Sequence, residues 1–261
     1  MTRDEGRGRL ALVTGAASGI GLATAELLAE RNWQVVIADR DAPRAEAAAA
    51  RLGARAVTLD VTDADAVEAV FDKVEQELGP IEAVMANAGL IQPGARPEEL
   101  PLDEFDRIVA VNLRGVYVTC LAAGRRMAPR GRGAMVLTGS ITASRAVPLH
   151  AYAPTKAAVV HMAACLAGEW GRSGLRVNAV SPGFVATPPL QAAIDKGLRD
   201  AAKLADGAAM GRMVEASEIA KAVGFLLSDD ASAITGIDLP VDAGWLATGH
   251  WATYGGPRAP R

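Results

Sequence analysis

Short apolar runs alternate with stretches of helical periodicity along most of the chain, and this alternation restricts the fold more than any other feature. Each run has the length and the small or branched apolar residues of a buried strand. Because strands joined by helices pair in parallel through right-handed crossovers, the pattern predicts an α/β fold, a doubly wound sheet of about seven parallel strands with helices on both faces. The predicted strands are Leu10–Val13, Gln34–Ala38, Ala54–Leu59, Ile81–Ala86, Ala134–Thr138, Gly174–Val180 and Gly236–Val241.

The composition argues against nucleic acid, membranes and metal ions as partners. Hydrophobic residues make up 50% of the 261 residues, and the net charge of −3 offers no basic surface for nucleic acid. No apolar run approaches the ~20 residues that span a bilayer, and residues 1–9 lack the apolar segment of a signal peptide. Two cysteines and three histidines without ligand spacing predict no metal site. We therefore expect a cytoplasmic protein that acts on a small molecule and binds neither nucleic acid nor membrane.

No linker or repeat divides the chain, so residues 10–244 are predicted to form a single domain behind a flexible leader, residues 1–9. Residues 184–215 show no strand pattern and carry several prolines and glycines, which is typical of a lid over a binding site. The tail, residues 245–261, contains Trp245, Trp251 and Tyr254. It is expected either to lie at a subunit interface or to fold back on its own domain.

A glycine-rich turn follows the first predicted strand. Gly15, Gly19 and Gly21 have the spacing GxxxGxG, a variant of the dinucleotide fingerprint, directly before a helical pattern. Glycines let the backbone turn sharply and let a phosphate reach the N–H groups at the helix start. Asp39 follows the second predicted strand, where it can accept hydrogen bonds from ribose hydroxyls and repel a 2′-phosphate. This favours NAD over NADP, although Arg40 beside it would suit a 2′-phosphate.

Ser140, Tyr152 and Lys156 are the strongest candidates for reactive residues. On a helix, Tyr152 and Lys156 share a face because they are four residues apart. A phenol titrates near a pKa of ~10, and a neighbouring ammonium should lower that pKa and make the tyrosine a general acid/base. Ser140 follows a predicted strand, as Gly15 and Asp39 do. Since ligands bind at the carboxyl ends of the strands in such sheets, these residues should face one cleft.

Six motifs occur in order along the chain: TGAASGIG at Thr14–Gly21, Asn87-Ala88-Gly89, Asn112, Ser140, Tyr152–Lys156 and Pro182-Gly183. Together they resemble the short-chain dehydrogenase/reductase superfamily, classical type, over about residues 10–244. The resemblance implies a Rossmann fold and a hydride transfer between a nicotinamide and an alcohol or carbonyl carbon. It implies that Tyr152 is the general acid/base and that Lys156 tunes its pKa. It also implies that Ser140 holds the substrate oxygen and that Asn112 positions a water in a proton relay.

The resemblance further implies a cofactor site for NAD, with NADP as the other candidate. The residues expected to line it are Gly15, Ser18, Gly19, Ile20, Gly21, Asp39, Arg40, Asp60, Val61, Asn87, Ala88, Gly89, Tyr152, Lys156, Pro182, Gly183, Val185 and Thr187. Members of this family are usually homotetramers or homodimers, so the same is expected here.

The substrate wall is expected to mix polar and apolar groups, with Ser140, Thr142, Arg145, His150 and Tyr152 as candidate contacts. Such a wall favours a small polar alcohol, namely a polyol, a sugar or a hydroxy acid. Arg145 would anchor a carboxylate, but a solvated loop arginine is the simpler interpretation. His150 is interpreted equally well as a rim residue.

Two alternatives to an NAD-dependent alcohol dehydrogenase stay open. One is an NADPH-dependent 3-oxoacyl-thioester (acyl carrier protein) reductase, which Asp39 disfavours because such enzymes usually carry basic residues around this turn. The other is a non-catalytic NAD-binding regulatory protein. The presence of Asn112, Ser140, Tyr152 and Lys156 together disfavours it.

Overall fold

All seven predicted strands are present in one parallel sheet, and the computed structural model describes residues 6–258. The strand order is β3-β2-β1-β4-β5-β6-β7. The strands are β1 Leu10–Thr14, β2 Gln34–Asp39, β3 Arg55–Thr58, β4 Ile81–Ala86, β5 Gly133–Thr138, β6 Leu175–Pro182 and β7 Asp238–Val241. The order reverses between β1 and β4, which is the switch point where such sheets bind ligands. The predicted α/β fold is confirmed.

Helices cover both faces of the sheet. In the described part of the chain they are α1 Gly19–Glu30, α2 Ala42–Leu52, α3 Ala64–Leu78, α4 Leu102–Val109, α5 Val116–Arg130, α6 Tyr152–Trp170, α7 Pro188–Asp195, α8 Ala201–Asp206, α9 Ala216–Leu227 and α10 Trp245–Thr248. A π-helical turn, Ala110–Gly115, joins α4 to α5 without a break. Between residues 6 and 258, no helix combines the length and apolar character needed to cross a bilayer.

Side-chain caps explain where several of the helices begin. Asp63 caps α3, because its side chain accepts hydrogen bonds from Asp65 N at 3.1 Å and Ala66 N at 3.0 Å. From the sequence, Asp103 was the residue predicted to cap the helix that leads to Asn112, and this prediction is wrong. This helix begins one residue earlier, after Pro101, so Asp103 lies in its first turn, where the helix dipole still favours a negative charge.

Two apolar layers hold these helices on the sheet. On one face, α3, α5 and α6 pack through the fully buried Phe71, Met127 and Val159. On the other face, α1 and α9 pack through Leu28 and Ile219. Because both faces are covered, the carboxyl edge of the sheet is where polar side chains can meet a ligand.

Residues 184–215, the predicted lid, and the start of the tail lie at this edge. The lid, residues 184–215, contains the two short helices α7 and α8. Trp245 packs edge-on against Phe184 with 5.7 Å between ring centroids, and Thr248 Oγ1 donates to Gly207 O at 2.8 Å. The start of the tail therefore folds back on its own domain. Its role at a subunit interface stays a prediction, and residues 1–5 of the leader and 259–261 of the tail lie outside the described residues.

Candidate active site

Two adjoining cavities open at the carboxyl edge of the sheet. The first, of about 380 Å³, lies over the ends of β1 to β4, and the second, of about 410 Å³, lies beneath the lid. Thr138, Tyr152 and Thr187 line both cavities, so a tyrosine stands at their junction. Both volumes fall in the range of about 300–1,000 Å³ that is typical of ligand sites.

The glycine turn forms one wall of the first cavity. Gly15 and Gly19 have φ angles of 64° and 57°, a region that side chains disfavour. Gly21 is buried, and a Cβ there would collide with Gly15 O. These positions therefore require glycine, and Ser18 and Ile20 line the cavity beside them.

Asp39 is held at the end of β2 by two backbone donors. Ala17 N donates to its Oδ2 and Asp41 N to its Oδ1, each over 3.0 Å. These bonds fix the carboxylate at the cavity wall, next to the exposed Arg40. Arg44 also lines the cavity and was not singled out from the sequence.

Asp60 and Val61 continue this wall. Thr62 donates to Asp60 from its backbone N at 2.9 Å and from its hydroxyl at 2.7 Å. These bonds lower the pKa of Asp60, and the positive charge of Arg40 lowers it further, against an opposing effect of burial. Asp60 is therefore a carboxylate at neutral pH and attracts Arg40.

Asn87 ties three strand ends together. Its Nδ2 donates to Thr14 O and to Gly15 O, both at 3.1 Å, and its Oδ1 accepts from Thr138 Oγ1 at 3.2 Å. The amide thus fixes the ends of β1, β4 and β5 where the two cavities meet. The wall of the first cavity continues along Ala88 and Gly89.

Lys156 is buried below the junction of the cavities, with 3% of its surface exposed. Its Nζ donates to Thr138 O at the end of β5, over 2.7 Å. Burial lowers the pKa of Lys156 to about 8, because a low-dielectric environment penalises the ammonium. The charged form still predominates at pH 7, so the fold holds a cation in its interior.

Tyr152 is the first residue of α6 and shares a helix face with Lys156, as the spacing predicted. Burial raises the pKa of Tyr152, and a hydrogen bond with Ser140 opposes that rise. Lys156 Nζ lies 5.6 Å from the centre of the ring. The expected lowering of the Tyr152 pKa by Lys156 is not found in the protein alone, because the ammonium bonds to Thr138 O and burial raises the pKa of the phenol.

Asn112 is fully buried in the π-helical turn between α4 and α5. Its Oδ1 accepts from Leu90 N at 2.7 Å, and its Nδ2 donates to Leu90 O at 2.8 Å. A Cβ on Gly89 would lie 3.4 Å from Asn112 Oδ1 and 3.7 Å from Lys156 Nζ. The amide and the ammonium therefore face the same space beside Gly89.

Gln92 supports Tyr152 from a remote loop, and no pattern in the sequence predicted this role. The residue is 2% exposed, and its Oε1 accepts from Ala151 N at 2.7 Å and Tyr152 N at 3.2 Å. These N–H groups at the start of α6 have no partner within the helix, so Gln92 caps the helix and fixes Tyr152. No sequence signal identifies such a residue, because capping side chains normally lie next to the helix that they cap.

The second cavity is more apolar than the sequence indicated. Ser140, Thr142 and Tyr152 line it as expected, together with Pro182, Gly183, Val185 and Thr187 from the segment at and after the end of β6. Most of the remaining wall is apolar and consists of Ile20, Ile91, Ile141, Val147, Pro148, Leu149, Phe184, Leu190, Leu204 and Trp245. The cavity therefore suits a ligand with a largely apolar body.

Arg145 and His150 line neither cavity, although both were candidate substrate contacts. Both side chains are exposed, and Arg145 donates to Ser144 O at 3.3 Å. Their loop presents Val147 to the cavity instead. The charged residue that does line the second cavity is Arg199, in the lid between α7 and α8. An irregular segment gives no periodic pattern from which its inward side chains could be identified.

Known proteins are similar to this chain over most of its length. A family model described as enoyl-(acyl carrier protein) reductase matches residues 15–246. D-threitol dehydrogenase of Mycolicibacterium smegmatis is 41% identical over 244 residues, which cover 91% of this chain and 93% of the relative. Cis-4-hydroxycyclohexanecarboxylate dehydrogenase of Sinomonas cyclohexanicum is also 41% identical over 244 residues, covering 92% and 97%.

Solved structures share the whole fold. One described as ribose-5-phosphate isomerase from Brucella melitensis 16M has a TM-score of 0.96 and 45% identity, covering 99% of this chain and 100% of that chain. NAD+-bound xylitol dehydrogenase has a TM-score of 0.86 and 30% identity, covering 91% and 99%. Because one name denotes an isomerase and the other a dehydrogenase, likeness of fold alone does not choose the reaction.

Replacing Lys156 by methionine should stabilise the fold while removing the ammonium. The folded pKa of about 8 lies below the unfolded value of about 10.4, a difference equivalent to roughly 3 kcal/mol. Loss of the hydrogen bond to Thr138 O partly offsets this gain. We expect urea unfolding at pH 7 to give the variant a free energy of unfolding higher by about 1–3 kcal/mol.

This advantage should shrink as pH rises from about 8 to about 10.5. In that window the unfolded chain binds more protons than the folded wild type, so the wild type gains stability. Lys196→Met, at an exposed position, is the control and should show no such change. An equal advantage at pH 7 and at about pH 9.5 would mean that burial does not penalise the Lys156 ammonium.

Proposed function

The chain belongs to the short-chain dehydrogenase/reductase superfamily, and we propose that it is an NAD-dependent dehydrogenase of a small polyol, sugar or hydroxy acid. It interconverts a secondary alcohol and the corresponding ketone. The observation that carries this proposal is the junction of two cavities at Tyr152, with Ser140 bonded to the phenol and Lys156 buried below. A phenol at this junction reaches the substrate on one side and the cofactor on the other.

The residues of the first cavity fit a dinucleotide. The glycine turn brings the start of α1 to the cavity, where its N–H groups suit the phosphates. Asp39 provides a fixed acceptor for ribose hydroxyls. When it is bound there, the nicotinamide supplies the acceptor of a hydride for oxidation and the donor for reduction.

Oxidation removes a hydride from the carbinol carbon of the substrate and a proton from its hydroxyl group. Tyr152 accepts this proton as a general base and returns it as a general acid in the reverse direction. Ser140 holds the same substrate oxygen and stabilises the charge that develops on it. Lys156, a cation at pH 7 with Nζ 5.6 Å from the centre of the ring, favours the phenolate form of Tyr152 and works against the burial that raises its pKa.

A proton taken up by Tyr152 must reach solvent. We assign this step to a relay beside Gly89, where Asn112 and Lys156 face the same space. The hydrogen bonds between Asn112 and Leu90 fix the walls of that space, so that a water bonded to Lys156 is held in a constant position.

The surroundings of Asp39 support NAD rather than NADP. A 2′-phosphate would meet the fixed carboxylate of Asp39. The two neighbouring cations already have partners, since Arg40 is attracted by Asp60 and Arg44 pairs with Asp41 at 3.3 Å. This disfavours the NADPH-dependent 3-oxoacyl-thioester reductase. Retention of the four catalytic side chains disfavours the non-catalytic regulatory protein.

The names of two relatives support the substrate class, and exposed apolar residues support the assembly. The two relatives carry names of dehydrogenases for a polyol and for a cyclic hydroxy acid, both secondary alcohols. We further propose a homodimer or homotetramer in the cytoplasm. Leu102 and Phe105 on α4 and Tyr117 on α5 expose apolar surface, which supports an interface through these helices.

Replacing Tyr152 by phenylalanine should lower kcat by about 10²–10⁴-fold, because the proton acceptor is lost. The measurement is NADH absorbance with a panel of polyols, sugars and hydroxy acids. Affinity for NAD, measured by calorimetry, should stay nearly unchanged. Tyr254→Phe, at an exposed tail position, serves as the control. Binding of NAD by the wild type without oxidation of any alcohol would favour the non-catalytic regulatory protein. Isomerisation of ribose 5-phosphate without NAD would favour an isomerase.

Calorimetric titrations should show that NAD binds more tightly than NADP by well over about tenfold, because Asp39 repels the 2′-phosphate. Asp39→Ala should narrow this gap, whereas Arg40→Ala should leave it nearly unchanged. Equal affinities in the wild type would mean that Arg40, not Asp39, governs the pocket.

A further inference from the structure

The wall of the second cavity restricts which alcohols it can hold. Val147 and Pro148 line it from the loop after β5, and Phe184, Leu190 and Trp245 line it from the lid and the tail. The rings of Phe184 and Trp245 are in edge contact, so they form one continuous apolar surface. A ring or branched carbon skeleton placed against this surface gains from leaving water.

The same wall offers few hydrogen-bond partners to a polyol or sugar. Ser140 and Tyr152 are engaged with the hydroxyl group that reacts, so every further hydroxyl needs another partner. Among the described residues of the wall, the other hydroxyl-bearing side chains are Thr138, Thr142 and Thr187. Thr138 already donates to Asn87. A hydroxyl buried against the remaining apolar wall is left without a hydrogen bond, which is unfavourable.

Arg199 is the one charged side chain among the described residues that line this cavity. Its side chain is exposed, as that of Arg145 is, but Arg199 lines the cavity; its Nη1 donates to Leu198 O at 2.9 Å, and it forms no ion pair within residues 6–258. Two other cations of the lid are paired: Lys203 lies 3.8 Å from Asp200, and Arg212 lies 2.7 Å from Glu218. Arg199 therefore combines an unpaired positive charge with a position on the wall of the substrate cavity.

We propose that Arg199 binds a carboxylate of the substrate, so that the preferred substrates are hydroxy acids whose hydroxyl and carboxylate are separated by an apolar ring or branched chain. The planar guanidinium matches the two oxygens of a carboxylate. Ser140 and Tyr152 fix the hydroxyl end, and Arg199 fixes the acid end. This inference rests on the proposed dehydrogenase function and narrows its substrate class.

The first test compares substrates that differ in one group. Cis-4-hydroxycyclohexanecarboxylate, its methyl ester, cyclohexanol and D-threitol are oxidised with NAD, and kcat and KM are measured for each. We expect kcat/KM for the acid to exceed that for the methyl ester by about tenfold or more, because only the acid forms the ion pair. Threitol should be the poorest of the four.

Variants of Arg199 test whether this residue causes the preference for the acid over the methyl ester. Arg199→Gln should raise KM for the acid by about tenfold to a hundredfold and leave kcat/KM for the ester nearly unchanged. Arg199→Lys should retain part of the preference, since the charge is kept but the planar fork is lost. Lys196→Gln is the matched control, because it removes a positive charge from an exposed position of the same lid outside the cavity wall. This control variant should leave kcat/KM unchanged for both the acid and the ester.

A binding measurement separates this inference from the dehydrogenase function. Cyclohexanecarboxylate has no hydroxyl group and cannot react, so its binding to the NAD-loaded protein by calorimetry reports the acid site alone. Arg199→Gln should weaken this binding by about tenfold or more, and Lys196→Gln should not.

The outcomes are distinguishable. Equal kcat/KM for acid and ester in the wild type, or an equal loss for both in Arg199→Gln, would overturn the role of Arg199 and leave the dehydrogenase function intact. Binding of cyclohexanecarboxylate through Arg199 without oxidation of any alcohol would preserve the acid site and overturn the dehydrogenase function.

Discussion

The proposed active site depends on one unfavourable interaction, the burial of the Lys156 ammonium against the end of β5. A cation with 3% exposure is tolerated only where the surrounding structure fixes a carbonyl partner, here Thr138 O at 2.7 Å. Asn87 holds that strand end against β1, and Asn112 faces the same space as Lys156. Burial of Lys156 therefore lowers the stability of the fold, and it places a positive charge below Tyr152.

The sheet brings the remaining parts of the site to one edge. Parallel strands point their carboxyl ends in the same direction, so the glycine turn after β1, Asp39 at the end of β2 and Ser140 after β5 meet there although they are distant in sequence. Gln92 then sets where α6 begins by accepting from Tyr152 N. The position of the Tyr152 phenol is therefore fixed from outside its own helix.

Periodic and local features were predictable from the sequence, and irregular ones were not. The strands, the glycine turn and the pairing of Tyr152 with Lys156 on α6 follow from spacing along the chain. Gln92 was missed because it caps a helix from a remote loop. Arg145 and His150 were misplaced, and Arg199 was missed, because the path of a loop or lid decides which side chains face a cavity. The phenol pKa also depends on burial, which spacing does not reveal.

The proposed reaction transfers a hydride directly from the substrate carbon, and the proton leaves separately through Tyr152. The most direct measurement uses cis-4-hydroxycyclohexanecarboxylate carrying deuterium on its carbinol carbon, with NAD and the unmodified protein. Magnetic resonance of the NADH formed should show one deuterium on nicotinamide carbon 4 for each ketone produced. Deuterium released to water, or found on a neighbouring carbon of the product, would contradict direct hydride transfer and indicate the proton chemistry of an isomerase.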